Sequence, residues 1–492
     1  MLFRSSLCSR WLTKLACGID EMDETDVDLS KLDLPLKLPV PMAFATLPEF
    51  FGTDCCEYLL LLAELKGSVL FNASDEFDRI LSLLVVLLES PGYVRNPHLR
   101  MKFVAVIALL IPPKAPKRGS EEERPDFSQI FNVNVIAKRY LAPSLIRLYV
   151  DIENTGSHNQ FHEKVQPRYN VYCILEHCCD PVGSAARASA DSTTIAHPPD
   201  PVYRTSLFGY LSEGSDMAKK FISMLLGDTQ LHFDDGLLKL AEAKKLQDEQ
   251  DSGEWESLPA STSGPGEPPS QGSREEKTKQ LEDAENHARH LLNQTSKTIH
   301  FLAYVTLDCP GPFLAGIFVH RIAQMLNSFI VKLAGRNMGA LKVRNMDDLE
   351  FKPLELLDEV ASVFVHLFQG SVAEAEAEPA PASAPAPAPA PATGASTSPF
   401  VTAMLSMGQY DADIYRKALR ILTSKQNPNY RRPRCLPNIA QLSSDACILL
   451  QRKGAPRQCL RGLAGSYTPS TQRWRRKLQK ILTWMSAQMS FL

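Results

Sequence analysis

The sequence predicts an all-α protein on three observations. Leu281, Ala284, Ala288, Leu291, Thr295, Ile299, Leu302 and Thr306 recur at three- and four-residue steps, the spacing that lines one face of a helix. Prolines stand where such stripes stop, as at Pro310 and Pro312, because proline lacks an amide donor and restricts the residue before it. The longest apolar stretches, Phe103–Ile111 and Ile80–Leu88 with Ser82 inside it, span nine residues each. Crossing a bilayer takes ~20, so both read as core helices.

Taken in order, the first nineteen residues carry Arg4, Arg10 and Lys14 and no acid before Asp20. They fit either a mitochondrial presequence or a helix whose start precedes this chain. Residues 22–38 are acidic and polar and read as a loop or linker. Helices are expected over Cys55–Lys66 and Glu76–Glu89 and then, after a turn at Tyr93-Val94-Arg95-Asn96-Pro97, to Ile111. Residues 114–126 read as a solvated loop. Ile130–Ile152 is helical, with Pro143 expected to kink or split it, and Phe161–Cys179 follows.

Phe208–Thr229 and Gly236–Asp248 read as two further helices. Phe318–Leu333 places Phe318, Ile322, Met325, Phe329 and Leu333 on one face, with Gly335 offering a C-terminal cap. The helix from Pro353 is apolar nearly all round. Its polar positions Glu355, Asp358, Glu359, Ser362 and His366 form one stripe, so neighbours should cover the rest. Phe400–Ser424 reads as a last helix pair. Segments 180–202, 247–273 and 372–399 are expected to be flexible insertions. The first is rich in Ser, Ala and Pro, the second in Pro, Gly and Ser. The third alternates Ala and Pro, which favours an extended polyproline spacer.

Mean hydropathy of −0.16 argues against a membrane protein. Eleven cysteines without a CxxC pair suggest reduced thiols in the cytoplasm and nucleus. Residues 431–492 hold twelve Lys and Arg against the single acid Asp445, a formal +11 facing −14 in 1–430. Within this basic tail, Thr471–Met489 reads as an amphipathic helix. Trp474, Leu478, Ile481, Leu482, Met485 and Met489 line one face, with Arg473, Arg475, Arg476, Lys477 and Lys480 opposite. Such a helix suits an anionic membrane, an acidic groove or nucleic acid, or arises fortuitously at a misread exon end.

Chemistry-bearing clusters are few. Cys173, His177, Cys178 and Cys179 form the one metal-like group, but zinc needs four convergent ligands, and a buried helical face explains these residues better. His158 and His162 lie one helical turn apart without the glutamate of a metalloprotease pair. No phosphate loop, dinucleotide-binding glycine pattern or nucleophile elbow occurs. No catalytic, cofactor-binding or metal residue is therefore assigned, and no small-molecule ligand or cofactor is expected.

Several short motifs carry a family resemblance. Met325-Leu326-Asn327, Leu341-Lys342-Val343, Phe351-Lys352-Pro353 and Leu356-Leu357 follow one another at a set spacing. Earlier stretches join them: Leu47-Pro48-Glu49-Phe50-Phe51, the turn at Tyr93–Pro97, Leu141-Ala142-Pro143-Ser144-Leu145 and Trp255-Glu256-Ser257-Leu258-Pro259. Together they resemble the core of the ubiquitin conjugation factor E4 family, the U-box ubiquitin-chain elongation factors. The resemblance implies an elongated armadillo-like helical solenoid with disordered insertions. It divides the chain into an N-terminal segment 1–44, a core 45–430 and the tail 431–492, which does not match a U-box. It also implies a scaffold for polyubiquitination that works with a ubiquitin-conjugating enzyme, ubiquitylated substrates and a hexameric AAA ATPase. Without a recognisable U-box, the chain alone is expected to be inactive. The alternative is a non-catalytic armadillo-like adaptor whose basic tail binds nucleic acid or membrane.

Overall fold

The computed structural model describes residues 2–19, 27, 31–65, 74–111, 128–154, 160–180, 200–258, 273–335, 343–344, 349, 351–377, 399–406 and 412–422. Among them there is no strand, and the fold is all-α. The chain divides into two compact units, Met1–Thr229 and Gln230–Leu492.

The first unit contains α1 (Leu2–Cys17), α2 (Met42–Ala45), α3 (Glu49–Leu65), α4 (Ser74–Glu89), α5 (Pro97–Leu109), α6 (Ser128–Val133), α7 (Val135–Asp151), α8 (Gln160–Cys179) and α9 (Pro201–Ser212). Helices pack on near neighbours in sequence: α1 on α4, α3 on α5, α4 on α7, α5 on α8 and α7 on α9. That pattern is what stacked helix pairs produce. The presequence-like start is one of these packed helices, with Leu15 and Ala16 buried. The supposed linker is also partly anchored. Leu36 is buried with its amide donating to Ser90 Oγ at 2.9 Å, and the Tyr93 hydroxyl donates to the Lys37 carbonyl at 2.8 Å.

Asparagines start two of these helices by a route the sequence makes legible. Asn96 accepts from the His98 amide at 2.9 Å with Pro97 in the first turn, so the motif Tyr93–Pro97 is a helix start. Asn134 accepts from the Ala137 amide at 2.7 Å while its own amide donates to Ser82 Oγ at 2.7 Å, tying α7 to α4.

Pro143 does not split its helix into two elements; α7 runs unbroken from Val135 to Asp151. A proline at 143 leaves the carbonyl of Arg139 without its helical donor. The Ser206 hydroxyl, from α9, donates to that carbonyl at 2.7 Å. A tertiary contact thus satisfies the acceptor that the local sequence abandons.

The helix α10 (Asp216–Asp251) carries the boundary between the units, and it is one helix where two were expected. Gly236 does not interrupt it. A Cβ there would lie 2.9 Å from the Leu292 side chain, so the glycine answers to close helix packing. The break comes earlier, at Gly214 with φ +63, and α9 starts at Pro201 behind the Asp200 cap.

The second unit continues with α11 (Arg274–Asp308), α12 (Gly311–Leu314), α13 (Phe318–Ala334), α14 (Pro353–Ala377), α15 (Pro399–Ser406) and α16 (Ala412–Leu422). Here α14 packs on α11 and α13, and α13 packs on α15 and α16. The segments read as insertions give part of their length to helices: α10 runs through Asp251, Trp255 is buried in a short 3-10 turn, and α14 extends to Ala377. Ser273 caps α11 by accepting from the Glu276 amide at 3.2 Å. Pro353–Glu374 is long and apolar enough to cross a membrane by length and composition, yet 56% of its apolar 18-residue window is buried in the fold. The alanine–proline repeat beyond 377, the tail 431–492 and its amphipathic stretch lie outside the described residues.

Candidate functional site

The motif-bearing joint between α13 and α14 is the first candidate. The stripe Phe318, Ile322, Met325, Phe329 and Leu333 is buried as its spacing predicts, and Phe329 stacks on Phe233 of α10 at 4.0 Å. Asn327, within the Met325-Leu326-Asn327 motif, is 3% exposed. Its side-chain oxygen accepts from the Tyr415 hydroxyl of α16 at 2.9 Å. Tyr415 in turn lies against Phe364 at 6.1 Å, and Phe364 meets Phe400 edge-on at 5.4 Å. Val343, Phe351, Leu356 and Leu357 are all buried. The signature residues therefore close a helix-loop-helix joint.

Gly335 ends α13 in extended backbone, φ −65 and ψ −177, and not in the left-handed cap its identity suggests. A Cβ at 335 would sit 2.4 Å from the Val331 carbonyl oxygen, so room, not handedness, demands glycine. The Gly335 carbonyl accepts from Lys417 Nζ at 3.0 Å, which fastens the joint to α16. A void of about 20 Å³ remains between Ile330, Leu357, Phe364 and Leu422. It is apolar and the size of a single water, so it holds no ligand.

The polar stripe of α14 faces α11. His300 Nδ1 donates to Glu359 at 2.8 Å, and His366 Nδ1 lies 3.3 Å from Thr306 Oγ1. Burial pulls the His366 pKa down to about 4, so its imidazole is neutral in the fold at neutral pH. These contacts orient two helices. The sequence reading left the stripe uncovered because polar spacing alone does not say which neighbour meets it.

The first unit has its polar groups on charges. Arg168, 5% exposed, donates to Asp228 at 2.8 Å and to Glu153 at 2.7 Å, while its guanidinium lies 4.5 Å over the Tyr149 ring. The Tyr149 hydroxyl donates to the same Asp228 carboxylate at 2.7 Å. Glu89, 2% exposed, accepts from Arg147 and from Ser144. Burial lifts its pKa against the pull of Arg147. A resolved acid–base pair of this kind can act in catalysis only where a substrate can reach it, and these groups are consumed by packing.

The metal-like residues do not converge. Among the described residues, none of Cys173, His177, Cys178 and Cys179 belongs to a set of three ligands within reach of one ion. His177 meets the Phe131 ring edge-on at 5.1 Å, and Cys178 and Cys179 are buried, as a helical core face requires. His158 and His162 have no described side chains. Burial pushes the thiols of Cys56 and Cys179 up to about 12 and raises those of Cys17 and Cys55, so none of these four is poised as a thiolate.

These units define an all-α scaffold of stacked helices with packed joints and, among the described residues, no nucleophile activated by a base. The sequence pattern of the ubiquitin elongating factor core matches residues 3–441, and the chain belongs to that family. The match takes in α1.

Curated relatives agree. A probable ubiquitin conjugation factor E4 of Arabidopsis thaliana is 28% identical over 338 residues, covering 68% of this chain and 29% of the relative. Ubiquitin conjugation factor E4 A of Bos taurus is 26% identical over 348 residues, 68% of this chain and 30% of its own length. The E4 ubiquitin-protein ligase UFD2 of Saccharomyces cerevisiae is 26% identical over 359 residues, with 72% and 33% covered. The chain thus spans about a third of the length of the relatives it matches. Family membership does not favour the nucleic-acid or membrane adaptor reading.

Proposed function

We propose that this chain is the scaffold portion of a ubiquitin-chain elongation factor acting in the cytoplasm and nucleus. Its helical units position ubiquitylated substrates relative to a ubiquitin-conjugating enzyme gripped by a U-box-type module. The observation that carries this reading is the family match over residues 3–441. A charged conjugating enzyme already bears ubiquitin as a thioester, so a scaffold accelerates transfer by proximity and orientation alone. The raised thiols of Cys17, Cys55, Cys56 and Cys179 argue against a covalent relay through those residues. A hexameric AAA ATPase is the further partner that the family resemblance supports.

The test is a reconstituted assay with activating enzyme, a panel of conjugating enzymes, ubiquitin and a monoubiquitylated substrate. The chain alone should add nothing above the background without ligase, and fusion of a U-box after residue 430 should restore chain growth. Growth by the unfused chain would overturn the scaffold reading. A pull-down with the ATPase and the fused protein tests the partner separately, with no retention as the contrary result.

A further inference from the structure

The helices α1 and α3 touch at an aromatic pair. The Trp11 ring of α1 packs edge-on against Phe51 of α3 at 6.4 Å and 75°. The C-terminal end of α1 points back toward the entry to α3: a Cβ on Gly18 would lie 3.6 Å from Pro41, just before α2 and α3. In antiparallel helices, a step of one turn toward the N-terminus of one element corresponds to a step of one turn toward the C-terminus of the other. One turn before Trp11 stands Cys8, and one turn after Phe51 stands Cys55. Gly18 beside Pro41 and Trp11 beside Phe51 run in opposite chain directions, which places Cys8 and Cys55 one turn beyond the aromatic pair on the two helices. Both are half-buried and both are free thiols in the structure. A second observation agrees, since Cys8 is among the groups whose charge raises the Cys55 thiol. The neighbouring Cys56 turns inward and is buried.

We propose that Cys8 and Cys55 form a redox-sensitive staple that locks the N-terminal helix α1 onto α3 when the thiol pool becomes oxidised. The co-reactant is a low-molecular-weight disulfide such as oxidised glutathione. Cys8 as thiolate attacks one glutathione sulfur, breaking that S–S bond, forming a mixed disulfide and releasing one glutathione thiolate. Cys55 then loses its proton and attacks the Cys8 sulfur, forming the Cys8–Cys55 bond and expelling the second glutathione thiolate. Two protein thiols are oxidised, one glutathione disulfide is reduced, and the two released thiolates take up the two protons. Cys55 suits the second role: burial makes it slow as a free nucleophile, while a mixed disulfide next to it raises its effective concentration. The bond would close a loop of roughly 50 residues, which restricts opening of α1 more than a short loop would. Without it, α1 is held chiefly by its packing on α4.

The full chain is incubated with oxidised glutathione at neutral pH, alkylated and digested with trypsin without reduction. The expected product joins Ser5–Arg10 to Leu38–Lys66 through a disulfide. It should also form in Cys56→Ser, and should vanish in Cys8→Ser and in Cys55→Ser. Amide exchange in α1 should slow by at least about tenfold on oxidation of the wild type and not in Cys8→Ser. Circular dichroism of each variant establishes that it is folded. Linkage of Cys8 to Cys56 would overturn the proposal. So would stable glutathione adducts on Cys8 and Cys55 with no bond between them, or linkage that leaves α1 exchange unchanged.

Discussion

The two units solve the same packing problem with different polar chemistry. In the first, ionic contacts with a buried member join helices: Arg168 between Asp228 and Glu153, and Arg147 with Glu89. In the second, the buried contacts between helices are neutral or weakly basic, Tyr415 with Asn327 and His366 beside Thr306, while ion pairs between helices such as Lys332 with Asp234 and Lys277 with Glu249 sit closer to solvent. Taking a charge out of water costs several kcal/mol, which its partner returns only while both are present. A neutral hydrogen bond contributes about 1 kcal/mol net and leaves a smaller penalty when broken. The first unit should therefore be brittle toward single charge deletions and the second tolerant of single polar deletions, with acid as its weak point.

The largest expected effect is Arg168→Met. It takes the counter-charge from the Asp228 carboxylate, leaving it the Tyr149 hydroxyl, removes the cation over Tyr149, and should cost about 3 kcal/mol of stability. Hydrogen exchange should rise first in α7 and α8. A loss under about 1 kcal/mol by denaturant melting would show that solvent already reaches the pair, and the contrast between the units would fail.

Acid gives the next effect, and it belongs to the second unit. His366 falls from an ordinary 6.5 to about 4 in the fold, so below 6.5 the unfolded chain binds a proton that the fold refuses. Stability is complete above pH 6.5 and declines as pH drops toward 4, by about 3 kcal/mol if this group acts alone. In the first unit, Glu89 responds with the opposite sign, because its raised pKa makes protonation favour the fold. Exchange measured between pH 7 and 4.5 should loosen α11 and α14, and His366→Gln should flatten that dependence. An unchanged profile in the variant would assign the acid sensitivity elsewhere.

Tyr415→Phe is smaller. It removes the hydroxyl from which the Asn327 oxygen accepts but keeps the ring against Phe364, so about 1 kcal/mol is expected, from the lost hydrogen bond. Comparing it with Tyr415→Leu separates the hydrogen bond from the aromatic packing. A larger loss for the phenylalanine than for the leucine would contradict this division.

The smallest effect, about 1 kcal/mol, is expected for Ser206→Ala, which leaves the Arg139 carbonyl without its hydroxyl donor. The proline makes this contact necessary. Pro143→Ala supplies the missing helical amide, so Ser206→Ala should cost less in that background. Additive losses in the double-mutant cycle would disprove the compensation.

Family and fold class were legible because both live in local pattern. Helical periodicity in Leu281–Thr306 and Phe318–Leu333, and caps such as Asn96-Pro97, depend on residues within a turn or two of one another. The short motifs around Asn327 and Phe351 identified the family for a related reason: they close a joint whose geometry few residue sets satisfy. What was not legible lay in contacts between helices. Pro143 reads as a break unless Ser206 is known to reach the Arg139 carbonyl, and Gly236 reads as a helix start unless Leu292 is known to press against it.

The sequence by itself determined that this chain is all-α, roughly where its helices lie, and which family it belongs to. Only the tertiary structure decided which helices are continuous and which neighbour receives the polar stripe of α14. Periodicity fixes which face of a helix is apolar, because that follows from 3.6 residues per turn. It does not fix which partner covers that face, since hydrophobic burial has no direction, and the partner is selected by shape and by hydrogen bonds between residues far apart in the chain.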